Sequence, residues 1–464
     1  MDAVRKFSRR SIMTGMASLG IGAAALAACG QVATAPADAP QPEEEAQPEA
    51  TAAPEAMEPN VIKYMHYTTQ QQVWDDTYGA VIDRYVERNP DVKVELDIIS
   101  GGLTNMAEKA VSSHAAGIPY DMYYGWFGYI SQFATADIIQ PLDALVSKDA
   151  AFDLSEYYDF ALERINGRLY GIAWFMGART IWYNADLMTN AGVDSPSKLD
   201  AEGKFTWDAL AELSTKLTTH EGANVSQWGI SFGGNRTDRI LIALKSWGAD
   251  WWNEDFSAPA INSASAGDAV QAVLDLVVKH QVHPPINRKE TDVAPSFNEQ
   301  KLAMVLNGPW YTRSINQQIY EGETPFNVEL ASVPVGPGGR GTPMLLNAFW
   351  IASTSPDPDT TWDFYKYLIS EEVQPDWANL GGGRFPANRT YAPVVQYPFE
   401  SVETYQAIAE VGVPLRQVVK QSDVNGAWSE LWGQLEEGQK TVAESLAEIH
   451  QVADIALKEG GCIC

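Results

Sequence analysis

Apolar and polar residues follow two different periods between residues 61 and 124. From Trp74 to Tyr85 the apolar positions are three and four apart, which is the spacing of an amphipathic helix, whereas Val92 to Ile98 alternates residue by residue like a strand. The predicted elements in chain order are a strand at Val61–Met65, a helix that stops at Asn89-Pro90, a strand at Val92–Ile98, a helix at Thr104–Ala116 and a strand at Asp121–Tyr124. This alternation predicts a mainly parallel sheet with helices on both faces, and ligands bind such sheets beyond the carboxyl ends of the strands.

Later segments repeat the alternation without a fixed period, so no internal repeat is predicted. The predicted helices are Trp207–Leu217, Ile240–Trp247, Ala266–His280, Thr360–Ile369 and Val442–Leu457, and the predicted strands are Gly229–Phe232 and Leu302–Asn307. Residues 61–464 together number about 400, which is too many for one hydrophobic core and favours two lobes.

The N-terminal segment has the pattern of an export signal. Basic residues precede an uncharged stretch, residues 11–28, that is too short and too weakly apolar to span a membrane. Leu26-Ala27-Ala28-Cys29 resembles a lipoprotein processing site, which implies that residues 1–28 are a signal peptide and that Cys29 carries lipid. A plain cleavage site with an incidental cysteine is the alternative. Residues 8–13 also resemble a twin-arginine signal, so the export route stays open.

Residues 29–60 are predicted to be a disordered linker. They consist almost wholly of small and polar residues with Pro and Glu, and such a segment buries too little apolar surface to offset its ordering entropy. A lipidated cysteine followed by this linker would hold a folded domain just off the outer side of the cytoplasmic membrane.

Charge and cysteine content exclude several classes of partner. A net charge of -28 disfavours nucleic acid and anionic membrane surfaces and, more weakly, an anionic ligand. Besides Cys29, the cysteines are Cys462 and Cys464, which cannot form a disulfide framework. His450 is the nearest histidine and stands alone, so no metal site and no cofactor are predicted.

Five short motifs occur in an order that resembles a known family. They are Asn89-Pro90-Asp91-Val92-Lys93-Val94, Gly117-Ile118-Pro119-Tyr120-Asp121, the pair Asn166–Ile172 and Ile181–Leu187, Asn307-Gly308-Pro309-Trp310, and Gly381-Gly382-Gly383-Arg384-Phe385-Pro386. Together they resemble the extracellular solute-binding proteins of bacterial ABC-type carbohydrate importers, the maltose-binding-protein-like group. The resemblance extends over residues 61–458 and rests on the order and spacing of the motifs.

The resemblance implies a two-lobed periplasmic-binding-protein-like fold of the α/β class. Each lobe would be a mainly parallel sheet flanked by helices, with crossover hinges between the lobes. We expect residues 61–175 and 335–372 in lobe 1, and residues 176–334 and 373–464 in lobe 2. It also implies a monomer that carries a sugar or oligosaccharide in the cleft to the transmembrane permease of an ABC importer.

The aromatic candidates for the ligand site are tryptophans at strand ends. A pyranose exposes C–H groups on its faces and hydroxyls on its rim, so aromatic rings suit the faces and polar side chains suit the rim. Trp310 ends a predicted strand, and the family pattern places a stacking ring there. Trp126 follows the Asp121 strand, and Trp428 occupies another family position. For each of the three the alternative is a lobe-core Trp, since large aromatics are mostly buried.

Polar candidates lie in the predicted crossover and in loops. Arg179 is either a ligand contact or part of a hinge salt bridge, while Asp238 and Arg239 either contact ligand or are solvated surface charges. Gln71 and Trp74 follow the first strand, and Trp74 could equally face the core of its helix. Arg384 lies in a glycine-rich loop whose backbone can approach a ligand closely.

A secreted glycoside hydrolase is the rival hypothesis. Such an enzyme needs two carboxylates at a fixed separation, and carboxylates are too plentiful here to decide. The sequence lacks a Gly-x-Ser-x-Gly elbow, a His-Glu-x-x-His motif and a phosphate-binding glycine loop, so we predict a binding protein and no enzyme.

Overall fold

The computed structural model describes residues 60–68, 71–233, 236–286, 297–308, 326–379, 385–391, 404, 407–408 and 411–463. The fold belongs to the unit from Met57 to Cys464. The predicted signal peptide, Cys29 and nearly all of the linker lie outside the described residues. Among the helices within those ranges, none is long and apolar enough to cross a membrane.

The strands are short and the helices are of ordinary length. The strands are β1 (Asn60–Thr68), β2 (Val92–Ser100), β3 (Met122–Trp126), β4 (Leu162–Ile165), β5 (Arg168–Ala178), β6 (Thr180–Asn184), β7 (Thr219–Glu221), β8 (Asn224–Ser231), β9 (Leu302–Asn307), β10 (Val328–Ala331), β11 (Thr342–Ile351), β12 (Phe385–Pro386), β13 (Gly412–Pro414), β14 (Gln417–Val418) and β15 (Cys462–Ile463). The α-helices are α1 (Gln71–Arg88), α2 (Leu103–Ala115), α3 (Ile130–Thr135), α4 (Asp143–Lys148), α5 (Ala185–Ala191), α6 (Pro196–Ala201), α7 (Trp207–Leu217), α8 (Thr237–Ser246), α9 (Ala264–Val278), α10 (Pro358–Leu368), α11 (Gln374–Asn379), α12 (Gln421–Glu436) and α13 (Val442–Gly460). Short 3-10 helices occupy Leu154–Glu156, Asp159–Ala161 and Glu371–Val373.

The helix boundaries follow from capping side chains. Thr206 accepts from Ala209 N at the start of α7, and Asp357 accepts from Thr360 N at the start of α10, where Pro358 takes the first helical position. Thr441 and Glu444 form a reciprocal capping box at the start of α13. The predicted helices and strands are confirmed, and most of their predicted ends lie within a few residues of the observed ends.

Two sheets organise the two lobes. The first has the order β12-β5-β11-β3-β1-β2, with β13 beside β11 and β4 beside β5, and the second has the order β10-β6-β9-β8-β7. Helices α1, α2, α4 and α10 pack against the first sheet, and α6 and α7 pack against the second. Buried residues of α8 and α9 belong to the same apolar cluster as those of the second sheet, and α8 also contacts β11. We call these assemblies the first and second lobes.

The predicted two-lobed α/β class is confirmed, whereas the strand pairing is mixed rather than mainly parallel. β1 runs parallel to β2 and β3, and β8 runs parallel to β9, but β11 is antiparallel to both β3 and β5, and β6 is antiparallel to β9 and β10. Parallel neighbours need a long crossover connection, whereas strands that return from the other lobe can enter the sheet in either direction. The periodicity of a strand does not reveal which of these occurs.

The buried apolar side chains form two clusters. The first contains Tyr64, Trp174 and Trp350, and the second contains Trp251 and Leu446. Trp377 and Phe385 also belong to the first cluster, and β12 pairs with β5. The packing of residues 374–379 and 385–387 thus differs from the predicted change of lobe after residue 372, because Trp377, Phe385 and Ala387 pack with the first cluster and β12 pairs with β5.

Candidate functional site

A single residue, Arg179, connects the two sheets where β5 ends and β6 begins. Ala178 pairs with Met344 in the first sheet, and Thr180 pairs with Asn307 in the second. The Thr342 hydroxyl donates to the Arg179 carbonyl at 2.9 Å. This bond joins the start of β11 to the connection between β5 and β6. Strand ends from both sheets therefore meet at Arg179.

The Arg179 side chain forms a buried salt bridge with Asp238 at the start of α8. Its Nε and Nη2 both donate to Asp238 Oδ2, the Nε at 3.0 Å, and Arg236 Nε donates to Oδ1 at 3.1 Å. Arg179 is 4% exposed and Asp238 is 2% exposed. Burial raises the pKa of Asp238, but the charges of Arg179 and Arg236 outweigh burial and hold this pKa at about 2. Asp238 is therefore ionised at neutral pH, and the alternative of a solvated surface charge is wrong for it.

Trp126 and Arg236 face each other between the lobes. Trp126 is half-buried at the carboxyl end of β3, and the Arg236 guanidinium carbon lies 5.9 Å from the centroid of its ring. Arg236 belongs to the loop after β8, in the second lobe. A Cβ atom on Gly128 would lie 2.1 Å from the Trp126 ring, so the glycine allows the ring to lie back over its own turn.

A small pocket lies beside Arg236 in the second lobe. Its lining residues are Phe232, Arg236, Arg239, Ile240, Val273, Ile286, Trp428 and Trp432. Arg239 Nη1 donates to the Phe232 carbonyl at 2.7 Å. The pocket thus combines aromatic walls with guanidinium donors.

Trp428 is both a core residue and part of this pocket. It is fully buried on α12, and its ring lies 5.4 Å from Trp251 and 5.6 Å from Trp432. Its Nε1 has no hydrogen-bond partner among the residues that the structure describes. A buried indole N–H normally finds a partner, so this donor suits a bound polar group.

The structure brings five of the predicted site residues together and leaves the others undecided. Arg179 contacts Asp238, and Arg236 connects Asp238 to Trp126. Arg239 and Trp428 line the same pocket as Arg236. Trp310 and Arg384 lie outside the described residues. Gln71 and Trp74 lie in the first turns of α1, directly after β1, but their side chains are also outside the described part.

Sequence reasoning missed Phe232, Arg236 and Trp432. Phe232 directly follows β8, so the rule that ligands bind beyond strand ends could have selected it. Arg236 immediately precedes α8, whose first turn contains Asp238 and Arg239, so the predicted loop position of these two residues is wrong. Trp432 is one helical turn after Trp428, and no signal in the sequence separates it from an ordinary core residue.

Comparison with known proteins gives a consistent family and fold. Residues 69–375 match the family described as bacterial extracellular solute-binding protein. The lactose-binding protein of Rhizobium radiobacter is 21% identical over 321 residues, which cover 65% of this chain and 70% of that protein.

Two solved structures share the whole architecture. The first is an ABC substrate-binding protein from Listeria monocytogenes in complex with cycloalternan, which has a TM-score of 0.72 and 19% identity over 86% of this chain and 99% of the other. The second is the maltose/maltodextrin-binding domain MalE from Bdellovibrio bacteriovorus bound to maltotriose, with a TM-score of 0.67 and 18% identity over 86% and 100%. At these identities the structures establish the fold.

Proposed function

Because the chain belongs to the family of bacterial extracellular solute-binding proteins, we propose that it captures a sugar or short oligosaccharide between its lobes. It then delivers this ligand to the transmembrane permease of an ATP-driven importer. The observation that carries the proposal is the pair Trp126 and Arg236, which face each other from different lobes at 5.9 Å. An aromatic face on one side and a guanidinium donor on the other suit the face and the rim of a pyranose.

Ligand binding would couple to closure of the cleft. A ligand that touches both lobes favours the closed form only by the contacts that it gains there. Trp126 from the first lobe and the pocket residues of the second supply such contacts. The relatives bind cycloalternan, maltotriose or lactose by their descriptions, which supports a carbohydrate as the ligand of this chain.

The carboxylates argue for binding without turnover. A glycoside hydrolase needs one carboxyl of raised pKa beside the substrate. Asp238 is ionised and engaged with two arginines. Burial raises the pKa of Glu163 to about 7, but this side chain lies in the first lobe, where Trp350 Nε1 donates to it at 2.7 Å. Neither carboxyl offers a general acid in the cleft.

Membership of an extracellular family means that the chain is exported. We further propose that it is a monomer anchored by lipid on Cys29 to the outer side of the cytoplasmic membrane. The motif at Leu26–Cys29 supports this part of the proposal. Metabolic palmitate labelling tests it, because labelling should disappear in Cys29→Ser and labelling that persists would contradict it.

A thermal-shift screen followed by calorimetric titration tests the proposed ligand class. Maltotriose, lactose and cycloalternan are the probes, and an amino-acid mixture of equal concentration is the control. We expect at least one sugar to raise the melting temperature, since a ligand that binds only the native state stabilises it. A shift with amino acids and none with any sugar would contradict the proposal. Reducing ends released during prolonged incubation would favour the hydrolase instead.

A further inference from the structure

The backbone at the carboxyl end of β8 is held by a buried histidine from outside the sheet. Phe232 N donates to His283 Nε2 at 2.7 Å, and His283 Nδ1 lies 2.5 Å from the Pro284 carbonyl oxygen. A carbonyl only accepts, so Nδ1 carries the proton and Nε2 offers its lone pair. The ring is therefore neutral and both of its nitrogens are satisfied, although His283 is only 2% exposed.

The same residue, Phe232, continues this connection to the pocket. Its carbonyl accepts from Arg239 Nη1 at 2.7 Å. The guanidinium lies directly against Gly233, where a Cβ would be 2.4 Å from Nη1, so the loop backbone fits closely around it. Phe232 and Arg239 both line the pocket. His283 does not line the pocket itself and is hydrogen-bonded to it through Phe232.

We propose that His283 is a positioning residue for ligand binding, whose neutral ring fixes the Phe232 backbone and through it the Arg239 guanidinium. This inference rests on the proposed function, because it assigns Arg239 to the binding of the ligand. A group that holds a binding residue in place affects affinity without touching the ligand.

The surrounding charges favour the neutral ring. Burial lowers the pKa of His283 to about 4, the Pro284 carbonyl opposes this shift, and the positive charge of Arg239 on α8 adds to it. Other charges on the adjoining elements have partners of their own. Asp275 on α9 pairs with Lys279, the residue after this helix, at 3.5 Å. Glu436 on α12 accepts from Ile286 N at 2.6 Å and from Trp432 Nε1.

A proton on Nε2 would turn the acceptor into a donor that points at another donor. Affinity should therefore fall as the pH drops through about 4.

Two substitutions of His283 test the inference, together with a control substitution of Thr218, which accepts from the backbone of β8. His283→Leu removes the acceptor, and His283→Gln keeps one. Thr218→Val is the matched control, because the Thr218 hydroxyl accepts from Gly229 N at 3.1 Å on β8 but lies outside the pocket. With maltotriose as the probe, we expect His283→Leu to bind about tenfold more weakly. His283→Gln should recover most of this loss and lack the decrease near pH 4, while Thr218→Val should bind like the wild type.

Amide hydrogen exchange without any sugar separates this inference from the proposed function. We expect faster exchange at Phe232 in His283→Leu and unchanged exchange there in Thr218→Val. Unchanged exchange at Phe232 in His283→Leu would overturn the inference, and so would faster exchange with unchanged maltotriose affinity. If the wild type binds no sugar, the proposed function fails, while exchange at Phe232 still decides whether His283 holds the loop.

Discussion

The two lobes bring different chemistry to the region where they meet. In the first lobe, aromatic rings gather at the carboxyl ends of β1 and β3, with His66 4.4 Å and Tyr67 5.0 Å from Tyr124, and Trp126 follows them. In the second lobe, Arg179, Arg236 and Arg239 surround the single carboxylate of Asp238. The first lobe thus contributes mainly aromatic rings at this junction, and the second contributes three arginines beside the aromatic rings of its pocket. A ligand with apolar faces and a polar rim needs both, which explains why binding would require closure.

Removing the Asp238 carboxylate should have the largest effect on stability. Asp238→Asn would leave Arg179 buried without its counter-charge, and breaking a buried pair in this way costs about 3 kcal/mol or more. Urea unfolding of the unliganded protein measures this loss.

Asp194→Asn is the control, because its partner Lys198 is on the surface and exposed pairs contribute little. If Asp238→Asn unfolds at the same urea concentration as the wild type, the Arg179–Asp238 pair does not contribute to the stability of the folded protein.

Removing the Trp126 ring should affect ligand binding rather than folding. Trp126 is half-buried, so we expect Trp126→Ala to weaken binding of the preferred oligosaccharide by about 2 kcal/mol, or about thirtyfold, with little change in melting temperature. Calorimetric titration measures the affinity.

Trp126→Phe is the matched variant, since it keeps a stacking ring and should recover much of the affinity. Equal losses in both variants would point to a role other than stacking.

Trp310 tests whether the second lobe provides a further aromatic ring for the ligand. It follows β9 by three residues, and we predict that Trp310→Ala weakens sugar binding by about 2 kcal/mol, since truncation of a stacking anchor removes buried apolar area. Titration and melting of the same variant distinguish the two roles. A lower melting temperature with intact affinity would assign Trp310 to the core and would preserve the contrast between the lobes.

The two lobes should respond to pH in opposite directions. Burial raises the pKa of Glu163 in the first lobe to about 7, so its contribution to stability is complete below 4.5 and is lost as the pH rises through 7. Burial lowers the pKa of His283 in the second lobe to about 4, so its contribution is present above 6.5 and is lost as the pH falls through 4.

Glu163→Gln should therefore raise the melting temperature at pH 8 by about 1 °C, which corresponds to about 1 kcal/mol for a domain of about 400 residues, and should change little at pH 4.5. Glu108→Gln, an exposed carboxylate on α2 of the same lobe, is the control. A shift of equal size at both pH values would show that packing, rather than titration, causes it.

Much of the fold was predictable from local pattern. Helix α7 and strand β9 have the predicted bounds, and α1 stops at Arg88, before Asn89-Pro90. The candidate site was less accessible. Phe232 could have been found from its place after β8, but the Arg179–Asp238 contact joins residues 59 positions apart, and nothing in the sequence pairs them.

The sequence by itself determined where helices and strands form, because hydrophobic period, capping side chains and prolines act over a few neighbouring residues. It also determined the family, through motifs whose order is a property of the chain. Only the tertiary structure decided strand direction, the packing of Trp377 and β12 with the first sheet, and the pairing of Arg179 and Asp238 in the core. These features depend on which distant segments meet, and burial then decides whether a charge is solvated or paired and whether His283 is neutral.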